Sequence, residues 1–169
     1  MIHRYRGASP IQFAILHSEE ETGVSIQEKN ATTQDESEIT IAPKIQKSDA
    51  NINWLTDSAK IIYNKFRAFG DKIPPKTTFR SGKKTVGIQF ISLSLPADNE
   101  AAELQKFMSA NATPGSLYLA SKNPKYFITT CADGSLLKVD KVKVDGKNIV
   151  GVTDFVNGYS VVSEQFAFT

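Results

Sequence analysis

The chain has 169 residues, a hydrophobic share of 40% and a net charge of +2. That length allows one domain, or one domain with a fragment attached, and the longest apolar runs fall far short of the ~20 residues a membrane helix needs. The single Cys131 excludes an internal disulfide, and His3, His17 and Cys131 have no ligand-like spacing, so no metal centre is expected. Charge is unevenly placed. Met1–Thr40 holds three Lys/Arg against seven Asp/Glu, whereas Ile41–Thr169 holds seventeen against eleven. A basic body behind an acidic stub points to a polyanionic partner.

In chain order, Ser9–Leu16 reads as a short helix. Pro10 suits its first position, Ser9 can cap it, and Ile11, Ala14 and Ile15 share a face. Thr22–Ile26 reads as a strand. Gln27–Glu38 is polar, lacks a hydrophobic period and reads as a flexible linker. Ile39–Ile45 opens a new unit, held extended before Pro43. A clear helix follows Asn53-Trp54. Thr56 or Asp57 can cap it, Ala59, Ile62, Phe66 and Phe69 form its apolar stripe, and Gly70 stops it.

Strands are then expected at Thr77–Phe79, Thr85–Leu95, Ser116–Leu119, Tyr126–Thr130, Leu136–Val144 and Asn148–Val150. Asp133-Gly134 and Asp145-Gly146 mark hairpin turns. Ala97–Ala112 is polar and partly helical. The apolar positions of Leu136–Val144 do not alternate cleanly, so a bulge or a register change is expected around Val139–Val142. One helix and five or six short strands after Ile39 predict an α+β unit built on a small barrel.

Two groups of residues carry candidate chemistry. Lys72, Lys76, Arg80, Lys83 and Lys84 cluster between the helix and the first long strand. Lys138, Lys141 and Lys143 recur along one strand, with Lys147 past its turn. These nine form either an electrostatic surface for RNA or a merely solvated strand face and loop. Phe90, Tyr118, Tyr126 and Phe127 can stack on unpaired bases, although core packing suits most of them better. Trp54 is expected to pin a junction, and Cys131 to be a small buried side chain.

The string Arg4-Tyr5-Arg6-Gly7-Ala8-Ser9-Pro10-Ile11-Gln12, followed by Thr22-Gly23-Val24-Ser25-Ile26, resembles the formyltransferases that use 10-formyltetrahydrofolate. Ala42-Pro43-Lys44-Ile45, Ile52-Asn53-Trp54, Arg67-Ala68-Phe69, Pro114-Gly115-Ser116, Ala132-Asp133-Gly134 and Thr153–Tyr159 resemble the C-terminal domain of the methionyl-tRNA formyltransferase family. Phe69-Gly70-Asp71-Lys72-Ile73-Pro74 and Asp154–Tyr159 are most similar to its mitochondrial animal branch.

The resemblance implies three segments. Residues 1–26 are a remnant of an α/β Rossmann-like catalytic domain, 27–38 a polar linker, and 39–169 a tRNA-binding, OB-like barrel domain. It implies formyl transfer from 10-formyltetrahydrofolate to initiator methionyl-tRNA, in mitochondria, by a monomer without metal or membrane. The family's catalytic Asn and His precede the Arg-Gly-Ala element, and its catalytic Asp lies in a stretch for which Ile26 and Ala42 leave only fifteen residues. His3 and Asp35 lack the matching neighbours, so no catalytic residue is assigned and no folate binding is expected. The expectation is an inactive, truncated member limited to tRNA binding; the alternative is a free-standing RNA-binding barrel unrelated to formylation. Met1–Ile26, unable to complete a parallel sheet alone, is expected to be exposed, with Ile11, Phe13, Ile15 and Leu16 partly bare.

Overall fold

The computed structural model describes residues 5–22, 40–106, 112–119, 121, 124–163 and 166–169. The expected strand at Thr22–Ile26 (beyond Thr22), the linker Gln27–Glu38, and His3, Arg4 and Asp35 lie outside them.

The first elements are β1 (Tyr5–Gly7) and α1 (Pro10–Leu16), and β1 pairs in parallel with β2 (Thr40–Ala42). Gly7 makes that approach possible. At φ +146° it lies so close to Ala42 that a Cβ would come 2.1 Å from the Ala42 carbonyl oxygen. Pro10 begins the helix as expected, but the Ser9 hydroxyl makes no cap; it accepts from the Ile45 amide at 3.4 Å.

The expected exposure of this segment is only partly met. Ile11 is exposed, yet Ala14 is buried, and Ile15 and Leu16 pack with Ile45, Ala50, Ala68, Phe69 and Ile73. The segment finds its partners far along the chain, in β2 and in α2 (Ala59–Phe69). Asn64 of α2 secures the contact. Its buried amide donates to Ser18 Oγ at 2.7 Å and to the Leu16 carbonyl at 3.3 Å.

Helix α2 carries the predicted stripe, with Ala59, Ile62 and Phe69 buried and Phe66 packed against the core. Its cap is Ser58, whose side chain accepts from the Ile61 amide, and not Thr56 or Asp57. Asp57 instead accepts from the Asn53 amide at 3.0 Å and from Lys65 Nζ at 2.7 Å, which fixes the preceding turn.

Next come β3 (Lys76–Ser81), β4 (Lys84–Ser94), α3 (Asp98–Lys106), β5 (Leu117–Leu119), β6 (Phe127–Thr130), β7 (Leu136–Val144), β8 (Ile149–Gly151) and α4 (Val152–Tyr159). The antiparallel sheet runs β3-β4-β7-β6-β5, with β8 also on β7. Both Asp-Gly turns join antiparallel neighbours as predicted. The expected bulge is present and is matched by a second one. Between the pairs Phe90–Val142 and Leu93–Val139, Ile91 is extra on β4 and Asp140 is extra on β7. The slip restores the inward facing of Leu137, Val139, Val142 and Val144, all buried.

The sheet curls into a half-barrel around Phe79, Phe90, Phe127, Phe155 and Ile62. Each such side chain contributes roughly 1.5–3 kcal/mol by leaving water. The last residues span the open side. Phe166 accepts from the Leu117 amide and Phe168 donates to the Gly115 carbonyl, tying the segment to β5. Thr169 exchanges both backbone bonds with Thr78 of β3, at 2.8 and 3.2 Å. Trp54 enters this same core rather than a junction. It stacks on Phe168 at 5.7 Å and donates from Nε1 to Thr77 Oγ1 at 2.8 Å. Outside the barrel, Leu104 of α3 packs with Tyr118, Tyr126, Ile128 and Leu136.

Candidate nucleic-acid interface

Strand parity decides which basic side chains share a surface. On β3 the buried residues are Thr77 and Phe79, so Lys76 and Arg80 point outward with Thr78 between them. Gln89 of β4 pairs with Lys76 on one side and with Lys143 of β7 on the other, and Lys143 in turn pairs with Ile149. Lys76 and Lys143 therefore stand two strands apart in one row, about 10 Å from each other. Lys141 occupies a further row, paired with Ser92 and Gly151. The bulge at Asp140 is what turns Lys141 outward along with Lys138, three residues before it.

The structure thus brings Lys76, Arg80, Lys141 and Lys143 onto one outer face, with Lys83 and Lys84 exposed at the β3–β4 tip. Lys84 has the parity of the core side and joins the group only because the core does not reach the tip. Lys72 is exposed in the bend after α2, its amide bonded to the Phe69 carbonyl.

Two of the nine are differently engaged. Lys138 pairs with Glu100 of α3 at 2.9 Å and lies 4.0 Å from the centre of the Tyr126 ring. That bond raises the Lys138 pKa and lowers that of Glu100, against the desolvation that opposes both. Lys147 lies in the β7–β8 turn with its ammonium 5.1 Å from the Tyr159 ring centre.

Sequence reasoning missed some lining groups. Asp145 reaches over Gly87, where a Cβ would meet its Oδ2 at 2.1 Å, and places a carboxylate between the basic rows. Asp145, Lys76, Thr78 and Thr169 line a cleft of about 400 Å³. No sequence signal marked Thr169 as a neighbour of Lys76. A second cleft, of about 440 Å³, lies between the β7–β8 turn and α4 and includes Lys147, Asp154 and Tyr159. No sequence signal marked this cleft either.

The four stacking candidates belong to packing. Phe90 and Phe127 are fully buried, Tyr118 is nearly so, and Tyr126 lies under Lys138.

Groups able to do acid–base or nucleophilic work are scarce among the described residues. Burial, reinforced by nearby Asp133, pushes the Cys131 thiol up to about 12, so it stays protonated. His17 is exposed, with Nδ1 2.8 Å from the Phe13 carbonyl oxygen. No cluster of three His, Cys, Asp or Glu residues is placed to hold a metal among the described residues.

An α+β chain with a curled antiparallel sheet and a basic outer face defines the class. A family model described as formyl transferase, C-terminal domain, matches residues 44–160. The chain belongs to the formyltransferase family and carries that C-terminal domain. It is similar to the methionyl-tRNA formyltransferase of Thermosynechococcus vestitus, at 30% identity over 220 aligned positions, covering 99% of this chain and 65% of the relative. It is also similar to the methionyl-tRNA formyltransferase of Campylobacter curvus, at 28% identity, covering 96% and 62% respectively. The chain spans a little under two thirds of these relatives' length. Among solved structures, HypX from Aquifex aeolicus in complex with tetrahydrofolic acid shares the fold, with a TM-score of 0.55 and 11% identity. The match covers 92% of this chain and 33% of HypX.

Proposed function

We propose that this chain is the RNA-holding part of a methionyl-tRNA formyltransferase, gripping the initiator tRNA through the outer face of β3, β4 and β7. The observation that carries this is the alignment of Lys76, Arg80, Lys141 and Lys143 on one face of a formyltransferase C-terminal domain. Such a face binds phosphates without reading sequence, releasing counterions as it does so.

Formyl transfer itself needs a base for the attacking amine and donors for the developing oxyanion. We assign neither to this chain and no contact to 10-formyltetrahydrofolate. The 220 aligned positions exceed this chain's length by at least 51, so the relative carries residues inside the aligned region that this chain lacks. That agrees with the short spacing between Ile26 and Ala42. A mitochondrial setting is part of the proposal and rests on the motifs Phe69–Pro74 and Asp154–Tyr159; organelle fractionation tests it.

Two assays run side by side test the reading. In the first, the chain is given methionyl-tRNA and saturating 10-formyltetrahydrofolate, and no formylation above background is expected. In the second, filter retention of the same tRNA is followed with salt. Retention should weaken steeply as salt rises, and the double variant K76A/K143A should lower the log–log salt slope by about 2. Formylation would overturn the binding-only assignment. Retention without dependence on salt or on these lysines would overturn the interface. A methionyl-tRNA preference no greater than that for other tRNAs would favour a general RNA-binding barrel.

A further inference from the structure

We propose that the cleft between the β7–β8 turn and α4 is a nucleobase pocket that takes an unpaired guanine. This deepens the RNA-binding reading and rests on it for the natural ligand.

The pocket has a fixed apolar side and a polar rim. Val144 and Phe155, both almost wholly buried, form part of its lining. The Tyr159 ring is held from behind by Phe79, edge-on at 5.2 Å, and by Phe155 at 5.3 Å, so it cannot swing away. Its half-buried state leaves ring surface facing the cleft, and the Lys147 ammonium already lies over the ring. A cation and a nucleobase compete for the same kind of surface, because both are attracted to an aromatic face. Lys147 sits in an exposed turn and can yield that place while its ammonium moves to the phosphate of the incoming nucleotide.

The rim has been kept open. A Cβ at Gly146 or at Gly158 would meet nothing within 4 Å. The volume of about 440 Å³ admits a base with its ribose.

The choice among bases comes from Asp154. Asp154 lines the cleft and is exposed, and its carboxylate carries no ion pair among the described residues. An ionised carboxylate only accepts hydrogen bonds. Guanine presents two adjacent donors, N1–H and N2–H, on its Watson–Crick edge. Adenine and cytosine present one amino group beside an acceptor, and uracil presents one N–H between two carbonyls that a carboxylate repels. The Asn148 amide, also on the rim, can serve either a donor or an acceptor. Guanine is therefore favoured and uracil rejected. The pocket lies at the β8 edge of the sheet, on the side of Val144 and Val150, so that only the strand edge separates it from the basic face that carries Lys143, the partner of Ile149.

The test is a titration of the ¹⁵N-labelled full chain with GMP and, separately, UMP, followed through its amide signals. GMP should move the Gly146, Asn148 and Gly158 signals at concentrations at least several-fold below those at which UMP does. Asp154→Ala should erase the difference between the two nucleotides, and Tyr159→Leu should weaken both by about ten-fold or more. Circular dichroism on each variant separates loss of binding from loss of fold, and Asp154→Ala, an exposed position, serves if Tyr159→Leu unfolds. No shift of these three signals with millimolar GMP overturns the proposal, as does an equal response to GMP and UMP. The two readings fail separately. Salt-dependent tRNA retention without a GMP response sinks the pocket alone. A GMP response with no tRNA retention supports the pocket and sinks the RNA-holding assignment.

Discussion

Phe168 shows how much a single side chain near the end of the chain decides. Its ring contacts Trp54, Phe90, Phe127 and Phe166, all within 5.7 Å between centres, so truncation leaves a cavity at the meeting point of four aromatics. Phe168→Ala should cost about 3–5 kcal/mol, read as a lowered urea midpoint with little change in slope. Cys131 offers a gentler test at the same scale. With its thiol pushed up to about 12, it should resist iodoacetamide at pH 8 in the folded chain and react readily in urea. Labelling at equal rates in both states would show that the site opens. These two positions differ in legibility. Cys131 sits in an apolar strand run whose burial can be read directly, whereas Phe168 lies in a short C-terminal stretch with no period and no turn signal. Its partners Trp54, Phe90 and Phe127 are 114, 78 and 41 residues away, and only the curl of the sheet brings them together.

Elements show the same division. Helix α2, the two Asp-Gly hairpins and the bulge in β7 were legible because each is written in local chemistry: a stripe, a turn pair, a broken alternation. The cap of α2 was misread by one or two residues, since Asp57 is drawn away to Lys65 and the Asn53 amide. The β1–β2 pairing was not legible at all, because parallel partners far apart in sequence leave no local mark. The basic strand face was legible as a pattern, but not the removal of Lys138 from it. That removal depends on α3, and it predicts a pH response. The Glu100 carboxyl lies below the usual carboxylate range because Lys138 bonds it, so the pair stabilises the docked helix above that range. The contribution is lost as pH falls through the lowered value. Glu100→Gln should therefore abolish any acid-dependent loosening of α3 as seen by amide exchange near Leu104, and leave the rest of the sheet unchanged. Gly115 carries a second prediction at this scale. It has φ +86°, and a Cβ there would stand 2.6 Å from the Phe168 carbonyl oxygen. Gly115→Ala should cost at least about 1–2 kcal/mol, with the loss concentrated where the last residues meet β5.

At the scale of the whole molecule, the N-terminal elements and the barrel are coupled through α2, one face of which serves each. Asn64 is the polar contact in that coupling. Asn64→Ala should cost about 1–3 kcal/mol by leaving the Leu16 carbonyl and the Ser18 hydroxyl without their donor. Amide exchange would then quicken across Ile11–Leu16 while the barrel strands keep their protection. Uniform loss of protection would mean that the two parts unfold together. The basic balance of the barrel part was legible from charge counts alone, since seventeen of the twenty basic residues follow Thr40. Which of them share a face was not, because strand order, not sequence order, places Lys76 in one row with Lys143.

The spanning of the half-barrel by Phe166–Thr169 has a consequence for the chain while it is being made. Strand β3 is translated 91 residues before Thr169, its hydrogen-bonding partner. At synthesis rates of about 5–20 residues per second, the β3 edge waits roughly 5–18 s on the ribosome with its amides unclaimed. During that interval Phe79 has no cover from the tail, and the edge is open to any other extended peptide nearby. A nascent chain stalled a few residues short of Phe166 would thus be the form most exposed to chaperones and to aggregation.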